Sequence, residues 1–411
     1  MTRRQGPMRV CVCTTYSADS EPRAPRHAAA LAAVFGKEVE VIFIDAAPYG
    51  KLTSRPKVLD ELPNVIWKTH YYHSRKSNLA YLVLSRIRQR IAQALFRYFG
   101  VLRPIAFSGK VDGFAHFLDS LHADVYFVHT IDGLLAAGQV AQRRGAQLIF
   151  DSMEFHSDMD NSQPELERAM ICALETEWLP RCALVTASSD QLADELVRVY
   201  HISRPQPLYN VPKIEPTLPP KSSTAFTLYW RNAVVGLGQR GLEEALLALT
   251  QLPAEITLHV QGRLQPDGGS LLRARIDTLG ITNRVIFHPP YAPEEAVKEA
   301  AMYTVGLCLE RKGVRNHDLT VSNKMFDYHM AGLVVISSDL PSLRAVIDRS
   351  GGGLLYESGS PDDLARQVMR LYRDRTLLDR LAANSRSFAV REGNREEEMK
   401  RLVEAFSAAC H

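Results

Sequence analysis

The chain has 411 residues, too many for a single hydrophobic core, so two domains are expected. Hydrophobic residues make up 46% and charged residues 23%, the balance of a soluble α/β protein, and no apolar run approaches the ~18–20 residues of a membrane span. The net charge is +3, yet residues 62–111 hold nine Lys and Arg and no Asp or Glu, so a basic insert sits on an otherwise acidic chain.

Arg3 and Arg4 stand near the start, but residues 8–13 alternate like a strand, so no signal peptide is expected. The six cysteines form no CxxC pair, which predicts reduced thiols and a cytoplasmic protein. Residues 9–14 read as a strand, 26–35 as an Ala-rich helix closed by Gly36, and 39–44 as a second strand. This βαβ opening predicts a parallel sheet. Beyond the insert, strands at 124–129, 148–151 and 184–187 alternate with helices at 133–144, 166–178 and 190–200. Pro216, Pro219 and Pro220 mark a linker over 212–223. The alternation then restarts, with strands at 226–230, 256–260, 285–288 and 305–309 and helices at 242–250, 270–279 and 293–301. A helix at 323–331 stops at Gly332, before a short apolar strand at 334–336 and a polar loop. A strand at 354–356, a helix at 361–373 and an amphipathic helix at 395–409 complete the chain. The expected domains are 1–211, carrying the insert 62–111, and 212–390. The segment 391–411 is expected to pack back toward the N-terminal domain.

The run Ser322-Asn323-Lys324-Met325-Phe326-Asp327-Tyr328 places an anion-binding helix N-terminus at Asn323 and Lys324 and a carboxylate, Asp327, near the helix end. Gly236-Leu237-Gly238-Gln239-Arg240-Gly241 matches GxGxxG, but residues 231–235 separate it from the predicted strand. Gln261 and Gly262 stand where a dinucleotide site needs an acid. The better reading is a loop that lays Gly238 and Arg240 against a diphosphate.

The segment from Asn323 to Ile336 resembles the donor-site helix and strand of family 4 glycosyltransferases of the GT-B fold, and the resemblance extends over nearly the whole chain. It implies two Rossmann-like domains facing across a cleft. It implies a retaining transfer of sugar from a UDP- or GDP-sugar to an acceptor hydroxyl in glycolipid or polysaccharide assembly, with no cofactor and no obligatory metal. Arg231 and Arg240 match the family's basic pair on the leaving diphosphate, and Asp327 its ribose-binding acid. The second acid of many members falls at Leu319, with Asp318 beside it as a substitute one residue away. His129 and Asp132 match a His-Asp-like turn. There His129 either contacts the donor sugar or phosphate or caps the next helix, and Asp132 faces the acceptor. Glu154 lies in a turn similar to the family's Asp-x-His-Glu, with Met153 in place of the His, and is a second acceptor-side candidate. The cluster Asp151, Glu154, His156, Asp158 and Asp160 lacks calcium-loop spacing, so no metal is expected. In the insert, Ile87, Ile91, Leu95 and Tyr98 form a helical stripe near Arg86, Arg88, Arg90 and Arg97. Either the stripe packs on the core, or it docks an anionic membrane where a lipid-linked acceptor resides. No nucleic-acid motif is present. A sugar-nucleotide epimerase of the same fold and a non-catalytic partner subunit remain as rivals, the latter because of Leu319 and Met153.

Overall fold

A computed structural model describes residues 6–74, 78–220, 225–238 and 240–410, without the side chains of 266–268. The chain divides into two compact units, residues 1–208 with 399–411, and residues 209–398.

The first unit holds strands β1 (Met8–Cys13), β2 (Val39–Pro48), β3 (Val65–Tyr72), β4 (Val125–Val128), β5 (Gln147–Ser152), β6 (Leu184–Ala187) and β7 (Gln206–Pro207). They form one parallel sheet in the order β3-β2-β1-β4-β5-β6-β7. The strand order reverses between β1 and β4, the switch point at which open α/β sheets bind ligands. Val10, Val12, Val41, Phe43, Val125 and Phe127 fill a core on one face. The helix Arg395–Cys410 supplies Leu402 and Phe406 to that core, with Phe406 5.6 Å from the Phe35 ring. One expectation changes here. Residues 65–72 of the basic segment are not an insert but the edge strand β3. The true excursion is the long helix Leu79–Phe99 and the short turns up to Val111. Alternation in β3 is obscured because apolar Ile66 stands exposed while polar His70 is buried.

The second unit holds β8 (Thr227–Val235), β9 (Thr257–Leu264), β10 (Val285–His288), β11 (Val305–Cys308), β12 (Val334–Ser338) and β13 (Gly353–Tyr356). All pair in parallel, in the order β10-β9-β8-β11-β12-β13, with the reversal between β8 and β11. Each central strand feeds two cores, as a sheet covered on both faces requires. Leu228, Trp230, Val305, Leu307, Val334 and Ile336 point to one core, and Tyr229, Cys308 and Val335 to the other. β8 runs five residues past its predicted end, through a bulge between Arg231 and Val234. Gly262 makes the bulge possible: a Cβ there would lie 1.9 Å from the Asn232 carbonyl oxygen. Gly236 therefore does follow its strand directly, contrary to the sequence reading. The missing acid still argues against a dinucleotide, because Gln261 is engaged by Tyr229 and by the Pro289 carbonyl. The polar loop expected after β12 is short, residues 339–340, and is followed by a helix the sequence reading did not include, Pro341–Ser350, with proline in its first turn.

Candidate functional site

The second unit gathers its charged residues around the β8/β11 switch point. Arg231 sits in β8 at the bulge, which turns its side chain out of the strand's regular alternation. Its guanidinium pairs with Asp327 and donates to the Tyr291 hydroxyl at 2.6 Å. Burial works against the charge on Arg231, but the Asp327 carboxylate outweighs it and raises the pKa. Asp327 projects from the helix Asn323–Met330, and Gly332 (φ 71°) follows that helix in the left-handed conformation. Ser322 makes no side-chain cap, so the first-turn amides that helix geometry leaves over are not taken by its hydroxyl.

Glu310 lies two residues past the end of β11. It accepts from Arg240 Nη1 at 2.7 Å, and Lys324 Nζ stands 3.4 Å from the same oxygen. The Glu310 and Lys324 side chains are only 4% and 6% exposed, whereas Arg240 reaches solvent. Lys324 Nζ, Glu310 Oε2 and Arg231 Nε make no hydrogen bond among the described residues. Burial alone would raise the Glu310 pKa, but Lys324 and Arg240 together hold it below the usual carboxylate range. The Glu310 backbone is fixed by Ser338 and Ser358 hydroxyls at 2.8 Å. Gly241 closes the preceding loop: its φ is 70°, and a Cβ would meet that of Leu309 at 2.5 Å.

Most predicted donor residues of this unit thus converge, but not in the expected roles. Arg231 and Asp327 are partners, where a diphosphate and a ribose contact were assigned to them separately. The Gly238 amide donates to Glu243 at 3.2 Å, so its hydrogen bond is already taken. Gln239 lies outside the described residues. Asp318 is half-buried in a one-turn helix, Arg315–Leu319, and burial raises its pKa against the pull of His317. Glu310 and Tyr291 were missed. Glu310 had a usable signal, an acid at the carboxyl end of a predicted central strand.

In the first unit, His129 follows β4 and is wholly buried, its Nδ1 3.0 Å from Asp151 Oδ2. Arg23 grips both oxygens of Asp151, at 2.6 and 3.1 Å, and Thr186 donates to it at 2.6 Å. Burial would raise the Asp151 pKa, but Arg23 and His129 drive it well below the usual range. His27, 4.9 Å from the His129 ring, is held neutral by burial and by Arg23. Ligand atoms of His27, His129 and Asp151 lie within 4.8 Å of one another, but the cation of that cluster is the Arg23 guanidinium. The acidic cluster after β5 disperses: Asp158 pairs with Arg168 at 2.9 Å, Asp160 turns to Ser162, and Glu154 is half-buried.

Asp132 accepts from the Thr15 hydroxyl at 2.5 Å, and burial raises its pKa. It lines a cavity of about 590 Å³ beneath the helix Leu79–Phe99, together with Tyr16, Arg90, Lys110 and apolar Ile131 and Met170. Lys110 stands 4.5 Å above the Tyr16 ring. Arg88 pairs with Asp112 at 2.8 Å, while Arg86, Arg90 and Arg97 are exposed. Arg75 and Lys76 of the basic run lie outside the described residues.

Residues 234–374 match the family model for glycosyl transferases group 1. That match lies wholly within the second unit. No curated protein matches the chain. Among solved structures, Anabaena Alr3699/HepE in complex with UDP superposes with a TM-score of 0.69 at 14% identity, over 98% of this chain and 100% of that one. Sucrose-phosphate synthase from Thermosynechococcus elongatus gives 0.71 at 14% identity, over 98% of each chain. The apo lipopolysaccharide outer core galactosyltransferase WaaB gives 0.64 at 16%, over 98% of this chain and 99% of that one. These likenesses establish the fold, the two-domain α/β architecture of GT-B glycosyltransferases.

Proposed function

We propose that this chain is a family 4 type, retaining glycosyltransferase that moves a sugar from a nucleoside diphosphate donor to an acceptor hydroxyl in glycolipid or polysaccharide assembly. The observation that carries the reading is the buried Lys324 ammonium, which makes no hydrogen bond although it stands beside Glu310 in the segment matched by the glycosyl transferases group 1 model. A buried donor without a hydrogen bond has capacity left for a ligand, and a phosphate oxygen has the matching charge. In this reading, Arg231, Arg240, Lys324 and the first turn of the helix Asn323–Met330 surround the diphosphate. Their positive charge stabilises the leaving group as the glycosidic bond breaks, the role a metal ion plays at other diphosphate sites. Asp327 sets the position of Arg231 and shares its remaining hydrogen-bonding capacity with the ribose. UDP is the first nucleotide to test, because it is the one bound in the Anabaena structure. GDP is the second.

The cavity above Asp132 is the acceptor site in this reading, with Asp132 receiving hydroxyls and Lys110 and Arg90 receiving an acidic group. The six unpaired cysteines fit action on the cytoplasmic side. No helix is long and apolar enough to cross a membrane. Calorimetry with UDP and GDP, followed by hydrolysis assays on UDP- and GDP-sugars, tests the proposal. Absence of nucleotide binding overturns it. Tight binding with no turnover for any donor and acceptor identifies a non-catalytic partner subunit instead, the reading that Leu319 favours.

A further inference from the structure

The helix Leu79–Phe99 is amphipathic in the reverse of the usual sense. An α-helix turns about 100° per residue, which puts Ser85, Gln89, Ala92, Gln93 and Phe96 on one face. That is the face packed inward: Ser85 and Ala92 are buried, Gln89 and Gln93 donate to the Ala106 carbonyl, and Phe96 joins Ala106 and Met170. The opposite face carries Val83, Ile87, Ile91 and Tyr98, and these are 51%, 51%, 56% and 73% exposed. Leu84 extends it at 53%. Polar amides face the protein and apolar side chains face outward, over about four turns of helix. Such a contiguous apolar stripe calls for a covering surface.

Charge identifies the occupant. Arg86, Arg90 and Arg97 fall along one flank of the stripe, and all three are exposed. Arg88 lies on the other flank, neutralised by Asp112. No Asp or Glu occurs from residue 62 to 111. A second copy seated on the stripe would therefore bring arginine flanks together with no acid from this segment between them. A flat, negatively charged, apolar-cored surface satisfies both the stripe and its flank at once.

We infer that the helix Leu79–Phe99 docks on a bilayer bearing anionic lipids, with the Val83/Ile87/Ile91/Tyr98 stripe in the headgroup–acyl boundary and Arg86, Arg90 and Arg97 against lipid phosphates. This rests on the helix alone and stands whether or not the chain transfers sugar. It brings Arg90, which also lines the cavity beside Lys110, against the lipid surface.

Flotation of the full chain with phosphatidylcholine vesicles, with and without phosphatidylglycerol, tests the inference across a salt series. The expected result is binding to the anionic vesicles at low salt, weakening as the Debye length contracts to about 8 Å at physiological ionic strength. Arg86→Gln with Arg97→Gln should weaken partitioning about thirtyfold, since each basic residue near such a surface contributes about 1 kcal/mol. Ile87→Gln with Ile91→Gln should abolish the part of binding that survives high salt, with an unchanged circular dichroism spectrum. Failure to float with anionic vesicles at low salt overturns the inference. So does equal binding to both vesicle types, or a dimer in sedimentation that Ile87→Gln with Ile91→Gln dissociates.

Discussion

Replacing Lys324 with methionine separates a ligand-binding cation from a structural one. In the folded protein its ammonium is 3.4 Å from Glu310 and makes no hydrogen bond. At an effective dielectric of about 20, that attraction is about 5 kcal/mol. Stripping water from the ammonium opposes it by several kcal/mol. Methionine keeps the length and apolar stem of lysine, and Arg240 still holds Glu310 at 2.7 Å. The two terms roughly cancel, so Lys324→Met should leave stability within about 1 kcal/mol of wild type. UDP affinity should instead fall by about 1.5–3 kcal/mol, the worth of a hydrogen bond to a charged group, or roughly ten- to hundredfold in Kd. Glu310→Gln makes the opposite perturbation. It leaves Lys324 buried without a counter-charge, which costs about 3–5 kcal/mol. In a unit the size of residues 209–398 that corresponds to a fall of roughly 6–20 °C in its thermal transition. Differential scanning calorimetry gives the stabilities and isothermal titration with UDP the affinities. Unchanged UDP affinity in Lys324→Met, or wild-type stability in Glu310→Gln, refutes the assignment of Lys324 as an anion receptor balanced by Glu310.

Arg240 reaches solvent and holds Glu310 from outside, so Arg240→Ala should fold normally yet lose about 10²–10³ in turnover if it stabilises the leaving diphosphate; wild-type rates remove it from the site. In the first unit, burial lifts Glu175 to about 7 against the Tyr200 hydrogen bond. Its folded pKa exceeds the unfolded value, so it stays protonated in the folded chain while the unfolded chain releases the proton. Stability is therefore lost as pH rises from about 4.5 through 7. Glu175→Gln should raise the thermal transition relative to wild type more at pH 8 than at pH 5, and an equal effect at both would contradict the shift. His329 runs the other way. Burial lowers it to about 3, so the unfolded chain takes up its proton first and stability falls as pH drops from about 6.5 toward 3. His329→Asn should flatten acid unfolding in that window, followed by tryptophan fluorescence.

The alternation of strands and helices was legible because each buried strand is a short apolar run bounded by turn residues. The helix carrying Asp327 and its Gly332 stop were legible for the same local reasons. What was not legible is long-range. Arg231 and Asp327 are 96 residues apart, and their pairing depends on the β8-β11-β12 order and on a bulge that only Gly262 admits. The stripe on the helix Leu79–Phe99 shows the complementary limit. Its periodicity was plain, but periodicity reports a face and not its direction. Gln89 and Gln93 decide the direction by bonding the Ala106 carbonyl, a contact that no spacing in the helix predicts.

Both sheets bury charge at the carboxyl ends of strands beside their switch points, but only one retains a surplus. In the first unit, Asp151 meets the Arg23 guanidinium, and the remaining capacity of its carboxylate goes to His129 and Thr186. Cation and anion balance, and each Asp151 oxygen already has two donors, so that cluster locks strands together and has nothing to offer an anion. In the second unit, Arg231, Arg240 and Lys324 face two carboxylates, Asp327 and Glu310, which leaves one positive charge uncompensated within these pairs. Glu310 is shared by Arg240, which hydrogen-bonds it, and by the more deeply buried Lys324, which pairs with it without a hydrogen bond. A buried surplus charge is tolerated where a ligand of opposite sign completes it, because the cost of its desolvation is then offset at binding. The charge balance therefore favours the second unit for the proposed diphosphate, whereas in the first unit His129 is held against an Asp151 already engaged by Arg23 and Thr186.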